Sequence, residues 1–179
     1  MKRSAWMTIV LVICVLSISL TAQEKEGQKI DFPQLTLEQK LDRAVRNVNG
    51  RDLGGIAYAK SLGKTAADFG KFQGQLTAYL WADIKGKGPI PFVQYWSRFV
   101  QTDINSHMEV LKATKTSVEA RMTVYGEKNL KSLASLGVTA EEYATYYGAM
   151  SEALADFLGL DYRQKFENGW MVFSVSDKK

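Results

Sequence analysis

The fold is decided by LGKTAADFGKFQG at residues 62–74 and by its second copy, LGVTAEEYATYYG at residues 136–148. The copies agree at Leu, Gly, Thr, Ala and the final Gly, and each places an acid three residues after its Thr. This pattern is typical of a helix start that follows the end of another helix. Two interpretations stay open: unrelated helices share common start chemistry, or an old duplication produced a helix-then-hairpin unit twice.

Both copies contain capping signals. Thr139 as the N-cap, with Glu142 at the third helical position, predicts a capping box in which two backbone N–H groups are satisfied reciprocally. Asp68 stands at the same position after Thr65, but its shorter side chain predicts a poorer box. The glycine two residues before each Thr predicts the left-handed end of the preceding helix.

Two glycines stand out on the first repeated helix, which is predicted from about Ala66 to Ile84. Gly70 and Gly74 lie on the face that also carries alanines at four-residue spacing. A glycine inside a helix costs on the order of 1 kcal/mol relative to Ala, so we expect something to approach the backbone there. Close packing against another helix or a sheet is one explanation, and a ligand lying on the bare backbone is the other.

Residues 1–22 predict a secretory signal peptide. Lys2 and Arg3 form a basic start, and Ala5–Leu20 carries no charge and is largely apolar. Ala22 supplies the small residue expected at a cleavage site. The alternative is an uncleaved N-terminal anchor of marginal length.

After cleavage, residues 23–35 should form a flexible lead and residues 36–179 a single domain. Loss of Lys2 and Arg3 lowers the formal charge of +4 by two. No Lys/Arg cluster lies on a predicted helix face, so neither nucleic acid nor an anionic membrane surface is an expected partner. Stable membrane insertion after cleavage is not expected either. Cys14 is the only cysteine, so the mature chain has no disulfide and no thiolate. These features favour a bacterial protein that is periplasmic or secreted, and they leave the oligomeric state open.

The segments before the second copy predict helices and one break. A first helix begins after Thr36 and ends at Asn49-Gly50, and a short second helix covers residues 53–62. The run Lys85–Pro91 contains two glycines and two prolines, which predicts a surface loop or lid. Residues 92–100 are strongly aromatic, and their apolar face predicts a core helix.

Alternation of apolar and polar residues predicts two β-hairpins, at residues 108–124 and 161–176. A short helix around Leu130 and Leu133 should lie between them, before the second repeated helix. Asn168-Gly169 indicates a type I′ turn in the second hairpin, which sets the facing pairs Phe166–Met171, Gln164–Phe173 and Tyr162–Val175. The sequence therefore predicts an α+β fold, with a four-stranded antiparallel sheet and helices packed mainly on one face.

Few residues are available for catalysis. His107 is the only histidine, which excludes a two-histidine metal site within one chain. A Ser-His-Asp triad would need it, and no Gly-x-Ser-x-Gly motif supplies the serine. Asp83 and Asp156 are candidates for partly buried acids, and an acid among apolar residues can act as a general base. No metal, cofactor or catalytic residue is assigned, and enzymatic activity stays undecided.

Aromatic and amide side chains favour a small-molecule pocket. Gln164 interrupts the apolar face of the last hairpin, and a buried amide needs hydrogen-bond partners. The loop at residues 85–91 would control access, and Gly74 would thin the wall, so a leucine there should fill the pocket. The predicted ligand-binding residues are Phe72, Leu76, Trp96, Tyr143, Tyr146, Tyr147 and Gln164.

The order of the elements and the phrase GVTAEEY, at residues 137–143, resemble two families. These are the 4-vinyl-reductase-type ligand-binding domains and the L-2-amino-thiazoline-4-carboxylic acid hydrolase-like proteins. The resemblance covers about residues 54–176. It implies ligand binding or hydrolysis, and it transfers no catalytic residue.

Three functions are compatible with the sequence. The first is an exported domain that binds a small, partly apolar ligand. The second is a cofactor-free hydrolase that uses acids or His107. The third is a structural or partner-binding envelope protein, which a large exposed apolar patch would support.

Overall fold

The computed structural model describes residues 34–101, 106–123 and 133–178, and all elements below belong to the unit Thr36–Lys179. The helices are α1 (Leu37–Ser61), α2 (Ala66–Thr77), α3 (Pro89–Val100) and α4 (Ala140–Leu158), with a 3₁₀ helix (Ala78–Ile84) after α2. The strands are β1 (Met108–Ala113), β2 (Ser117–Thr123), β3 (Leu160–Glu167) and β4 (Trp170–Asp177). In the described part of the chain, no helix has both the length and the hydropathy needed to span a bilayer.

Some predictions fall outside the described residues. They are the signal peptide at residues 1–22, most of the lead at residues 23–35, the strand end at Val124 and the helix position Leu130. Leu133 is described, and its side chain is buried.

The four strands form one antiparallel sheet in the order β1-β2-β4-β3, which confirms the predicted α+β class. Asn168 and Gly169 have φ angles of 52° and 78°, and a type I′ turn requires such positive values at both positions. Phe166 lies opposite Met171, and the other two predicted pairs also form. The turn signal therefore predicts the register of the hairpin.

One face of the sheet is buried beneath the helices. Phe92 of α3 packs on this face, with its ring centroid 5.9 Å from that of Tyr162 on β3. The opposite face carries Glu119, Arg121 and Ser174, which are exposed or half-buried. The most deeply buried strand residues, all 4% exposed or less, are Val118, Ala120, Met122, Leu160, Met171, Phe173 and Val175.

Both copies of the repeated stretch form the predicted helix starts. The Thr139 hydroxyl accepts from the N–H of Glu142 at 3.1 Å, and the Glu142 carboxylate accepts from the N–H of Thr139 at 2.8 Å. The box at Thr65 is equally complete, so the expectation of a poorer one is wrong. A single carboxylate oxygen of Asp68 accepts from both the N–H and the hydroxyl of Thr65, at 2.9 and 2.8 Å.

The two helices that follow these caps, α2 and α4, pack backbone to backbone. A Cβ at Gly70 would lie 2.1 Å from the carbonyl oxygen of Tyr146, and a Cβ at Gly74 would lie 2.5 Å from that of Met150. Close helix packing therefore explains both glycines. The expectation that a leucine at Gly74 fills a pocket is wrong, because that side chain would meet the backbone of α4.

α1 is one continuous helix, although the sequence predicts an end at Asn49-Gly50. No side chain or neighbouring element among the described residues comes within 4 Å of a Cβ placed at Gly50, so no close contact in this part of the chain requires a glycine there. Leu53 and Ile56 after it are 2% and 0% exposed. Burying these side chains stabilises the helix by more than the ~1 kcal/mol that a helical glycine costs.

α3 begins inside the run that the sequence predicts to be a loop. Pro89 stands in its first turn, and Pro91 follows two residues later. Prolines are tolerated there because the first backbone N–H groups of a helix have no partner within it. The loop is therefore shortened to residues 85–88. The predicted helix at residues 66–84 also changes, since it tightens to a 3₁₀ helix after Thr77.

Candidate functional site

Three of the predicted site residues, Trp96, Tyr143 and Tyr147, meet at a cleft between α1 and the core. Its volume is about 360 Å³, within the roughly 300–1,000 Å³ usual for small-molecule sites. We call it the α1 cleft. It is lined by Leu41, Ala44, Val45, Val48, Asn49, Trp96, Phe99, Val100, Ser106, Met122, Thr123, Tyr143, Tyr147 and Met171.

The outer wall of the α1 cleft is the apolar stripe of α1. Leu41, Val45 and Val48 recur at helical spacing and so share one face of the helix. Leu41 is still 46% exposed, and Leu37, about one turn earlier, is 84% exposed. The first half of α1 therefore covers the cleft without sealing it.

The floor of the α1 cleft is made of aromatic rings and thioethers. Tyr143 and Tyr147, one turn apart on α4, have ring centroids 4.8 Å apart, and the ring of Trp96 lies 5.9 Å from that of Tyr147. Met122 and Met171 pair across β2 and β4. Because methionine side chains are flexible and polarizable, this floor suits apolar molecules of irregular shape.

A second cleft, the Asp52 cleft, shares a wall with the first. Its volume is about 350 Å³. Val48, Trp96 and Phe99 line both clefts. The predicted site residue Tyr146 lies here beside Trp96. The full lining is Val48, Arg51, Asp52, Gln73, Thr77, Leu80, Trp81, Trp96, Phe99, Tyr146, Met150 and Leu154.

A chain of hydroxyl groups connects the two clefts. The hydroxyl of Tyr143 donates to that of Tyr147 at 3.1 Å, and the Tyr147 hydroxyl donates to the carboxylate of Asp52 at 2.9 Å. The two tyrosines line the α1 cleft, whereas Asp52 lines the other. A change in the charge of Asp52 can therefore affect the tyrosines on the floor of the α1 cleft through two hydrogen bonds.

Burial sets the ionisation of Asp52 and of the tyrosines around it. Burial raises the pKa of Asp52 above its ordinary value, and the hydroxyls of Tyr147 and Tyr146 and the charge of Arg51 oppose the rise only in part. Burial and the nearby Asp52 charge also raise the pKa of both tyrosines well above the usual range. Both phenols therefore stay protonated at neutral pH and can donate hydrogen bonds.

Asp52 is the functional candidate that the sequence analysis missed. It follows Val48 by four residues, so it continues the inward face of α1. The predicted helix end at Asn49-Gly50 hid this spacing. If α1 is taken as one continuous helix, Asp52 is an acid on an apolar helix face. That pattern is the sequence signal that could have identified it.

The wall between the clefts carries a buried donor. The indole N–H of Trp96 is shielded from solvent and forms no hydrogen bond with the described residues. Phe99 and Tyr147 pack edge-on against the indole, with interplanar angles of 83° and 64°. A buried donor left unsatisfied costs about 1–3 kcal/mol. If the indole ring rotated towards a cleft, its N–H could donate a hydrogen bond to a ligand oxygen, and that bond would recover part of the cost.

Gln164 lies away from both clefts. Its amide N–H donates to the carbonyl oxygen of Ala144 at 2.8 Å, and its amide oxygen accepts from the hydroxyl of Tyr162 at 2.8 Å. These bonds tie β3 to α4. The partners that a half-buried amide needs are therefore supplied within the fold.

Phe72 and Leu76 also lie away from both clefts, on the outer side of α2. They are 57% and 56% exposed. Gly70 and Gly74 turn the opposite side of the helix towards α4, and a step of two residues rotates a side chain by about 200°. The packing of the glycine face therefore directs both side chains to solvent.

The other candidate groups line neither cleft. Asp83 is exposed and accepts a hydrogen bond from the Tyr95 hydroxyl. Asp156 is exposed and pairs with Lys178 at 2.9 Å. The expectation of partly buried acids at these positions is wrong, because both carboxylates face solvent, and His107 is exposed as well. Within the described ranges, no group of three or more His, Cys, Asp or Glu side chains is placed to hold a metal ion.

Comparison with known proteins adds little to this geometry. No family model matches the chain, and no curated protein matches it. Among solved structures, the chain is similar to one described as "Cs H-NOX mutant with unnatural amino acid 4-cyano-L-phenylalanine at site 5". The identity is 10%, the TM-score is 0.39, and the match covers 90% of this chain and 85% of that chain. Similarity this weak carries no argument about function, and the resemblance to the two families named from the sequence stays a prediction.

Proposed function

We propose that this chain is an exported bacterial domain that binds a small, partly apolar ligand in the α1 cleft. The observation that carries the proposal is the cleft, which has a volume of about 360 Å³ between the apolar stripe of α1 and an aromatic floor. Predominantly apolar walls with a few polar groups are typical of small-molecule sites. The hydroxyls of Tyr143 and Tyr147 supply the polar groups that would orient the ligand.

The export part of the proposal is supported by the sequence of residues 1–22. A basic start, an apolar run and a small residue at the expected cleavage position favour removal of this segment during secretion. Intact-mass measurement on protein from the native envelope tests it directly. A mass that still includes Met1 to Ala22 would contradict cleavage.

The ligand proposal is tested with N-phenyl-1-naphthylamine, a small apolar dye whose fluorescence rises when it leaves water. We expect saturable binding of one dye per chain. Val48→Phe places a ring in the wall shared by both clefts, so it should weaken dye binding about tenfold or more. Because the ring enters space that is already present, thermal stability should stay within about 1 kcal/mol of the original chain.

A matched control is available one residue away. Asn47 is exposed on the outer side of α1, so Asn47→Phe adds the same ring to the same helix without entering a cleft. It should leave the affinity for the dye unchanged. Equal loss of binding in both variants, or no saturable binding to the original chain, would overturn the proposal.

A second candidate, a partner-binding envelope protein, is favoured by one observation. An apolar row on α2 and the 3₁₀ helix is more than half exposed, and it comprises Phe72, Leu76, Tyr79 and Leu80. A photo-cross-linking amino acid at position 72 tests it in the native envelope. We expect a defined adduct that Leu76→Lys abolishes without changing dye binding, and the candidate fails if no such adduct forms.

A further inference from the structure

The carboxylate of Asp52 is half-buried, and no salt bridge to another described residue neutralises it. It accepts a hydrogen bond from the Tyr147 hydroxyl at 2.9 Å. Within the described ranges it forms no salt bridge, whereas acids such as Asp42, Glu109 and Glu142 do. Removing a carboxylate from water is unfavourable unless charge or hydrogen bonds compensate. The hydroxyls of Tyr147 and Tyr146 compensate only in part, so a bound cation would stabilise the ionised carboxylate.

The walls around Asp52 are rich in aromatic rings. Trp81 comes from the 3₁₀ helix, Trp96 and Phe99 from α3, and Tyr146 from α4. The electron-rich faces of such rings attract organic cations, most strongly where water is excluded. A carboxylate among several rings is the chemistry that recognises an ammonium group.

Arg51 also lines the Asp52 cleft, and its charge opposes a bound cation. It is exposed at the rim, whereas Asp52 is half-buried. Consecutive helical residues point about 100° apart, and the two side chains form no salt bridge. Among the influences on the Asp52 carboxyl, the charge of Arg51 is the smallest. The inner part of the cleft is therefore governed by Asp52.

We propose that the ligand is an organic ammonium ion, with its charged end at Asp52 and its apolar body extending into the α1 cleft. The shared wall of Val48, Trp96 and Phe99 makes the two clefts neighbours, so one molecule can occupy both. This inference rests on the proposed function and specifies its ligand class.

The test uses three competitors built on one naphthalene ring. They are 2-(1-naphthyl)ethylamine, which is cationic at pH 7, uncharged 1-ethylnaphthalene, and anionic 1-naphthylacetate. Each competitor is titrated separately into protein that carries bound N-phenyl-1-naphthylamine, and displacement of the dye is measured by fluorescence. The amine should displace the dye at a concentration about tenfold or more below that of 1-ethylnaphthalene, because it gains the charge of Asp52. The anion should be the weakest competitor.

Two variants test whether the preference for the amine comes from the carboxylate of Asp52. Asp52→Asn keeps an oxygen that accepts from Tyr147 but removes the charge, so it should abolish the advantage of the amine and leave 1-ethylnaphthalene unaffected. Asp42→Asn is the matched control: it removes an acid of the same helix that pairs with Arg46 and lines neither cleft. It should leave the order of the competitors unchanged.

The pH dependence gives a second readout that needs no variant. The advantage of the amine should shrink between pH 7 and pH 4 as Asp52 gains its proton, since its pKa lies above the ordinary value. The charged and titratable groups that face Asp52 are Arg51, Tyr146 and Tyr147, and burial raises the pKa of both phenols, so they stay protonated throughout this range. If the dye binds but the amine has no advantage, or the anion competes best, the ammonium inference is wrong while the cleft proposal stands. If the dye does not bind, the proposed function itself fails.

Discussion

Gly70→Ala tests the contact on which the helical layer depends. The added Cβ would lie 2.1 Å from the carbonyl oxygen of Tyr146 and 3.1 Å from the Cβ of Ala149. α2 and α4 would have to separate by roughly 1 Å, and a gap of that size forfeits up to about half of each contact along the interface. Overpacking of this kind costs about 1–3 kcal/mol. The obstacle is backbone, so we take the upper end, and the gain in helix propensity of about 1 kcal/mol leaves a net loss of about 2 kcal/mol.

The measurement is urea unfolding followed by circular dichroism at 222 nm. Gly50→Ala is the control, because Gly50 is also helical and an added Cβ would meet no neighbouring group of the described chain within 4 Å. It should gain about 0.5–1 kcal/mol from helix propensity alone. The two identical substitutions should therefore differ in sign. A Gly70→Ala variant as stable as Gly50→Ala would refute the packing of α2 against α4.

Two further substitutions have defined outcomes. Burial raises the folded-state pKa of Asp52. The stability that this group contributes is therefore present at acid pH and is lost as pH rises through that pKa. Asp52→Asn should raise the melting temperature at pH 7, and the difference should vanish near pH 4. An unchanged melting temperature at pH 7 would contradict the burial of this carboxyl. Thr139→Ala removes the hydroxyl that accepts from the Glu142 N–H, so it should lower the free energy of unfolding in urea by about 1 kcal/mol. Thr145→Ala, at an exposed position inside α4, should not lower it. Equal losses in the two variants would contradict the cap.

Local signals predict most of the fold. Asn168-Gly169 predicts both the turn and the register, because a two-residue turn fixes which side chains face each other. Thr65 and Thr139 predict helix starts, because their hydroxyls satisfy backbone N–H groups close in sequence. Gly50 and Pro89 give wrong helix boundaries, because in each case the structure around the residue overrides the local signal. A glycine costs about 1 kcal/mol in a helix, which burial one turn later outweighs, and a proline stops a helix only beyond its first turn.

The candidate site is harder to predict, because periodicity identifies a face but not its partner. Trp96, Tyr143 and Tyr147 are on apolar helix faces in the sequence, and they lie together at the α1 cleft. Leu76 has the same signal and faces solvent, since the glycines of α2 bring the other face against α4. Asp52 carries no local signal of its own, and its position becomes apparent only when α1 is read as one helix.

Methionine methyl groups can report directly whether ligands bind between α1 and the floor of the α1 cleft. Met122 and Met171 lie on the floor of the α1 cleft, Met150 lines the Asp52 cleft, and Met108 lines neither. NMR spectra of protein labelled with ¹³C at these methyl groups should be recorded while N-phenyl-1-naphthylamine is added. We expect the Met122 and Met171 signals to shift in proportion to bound dye while the Met108 signal stays fixed. Saturable binding that shifts Met108 and leaves Met122 and Met171 unchanged would contradict it.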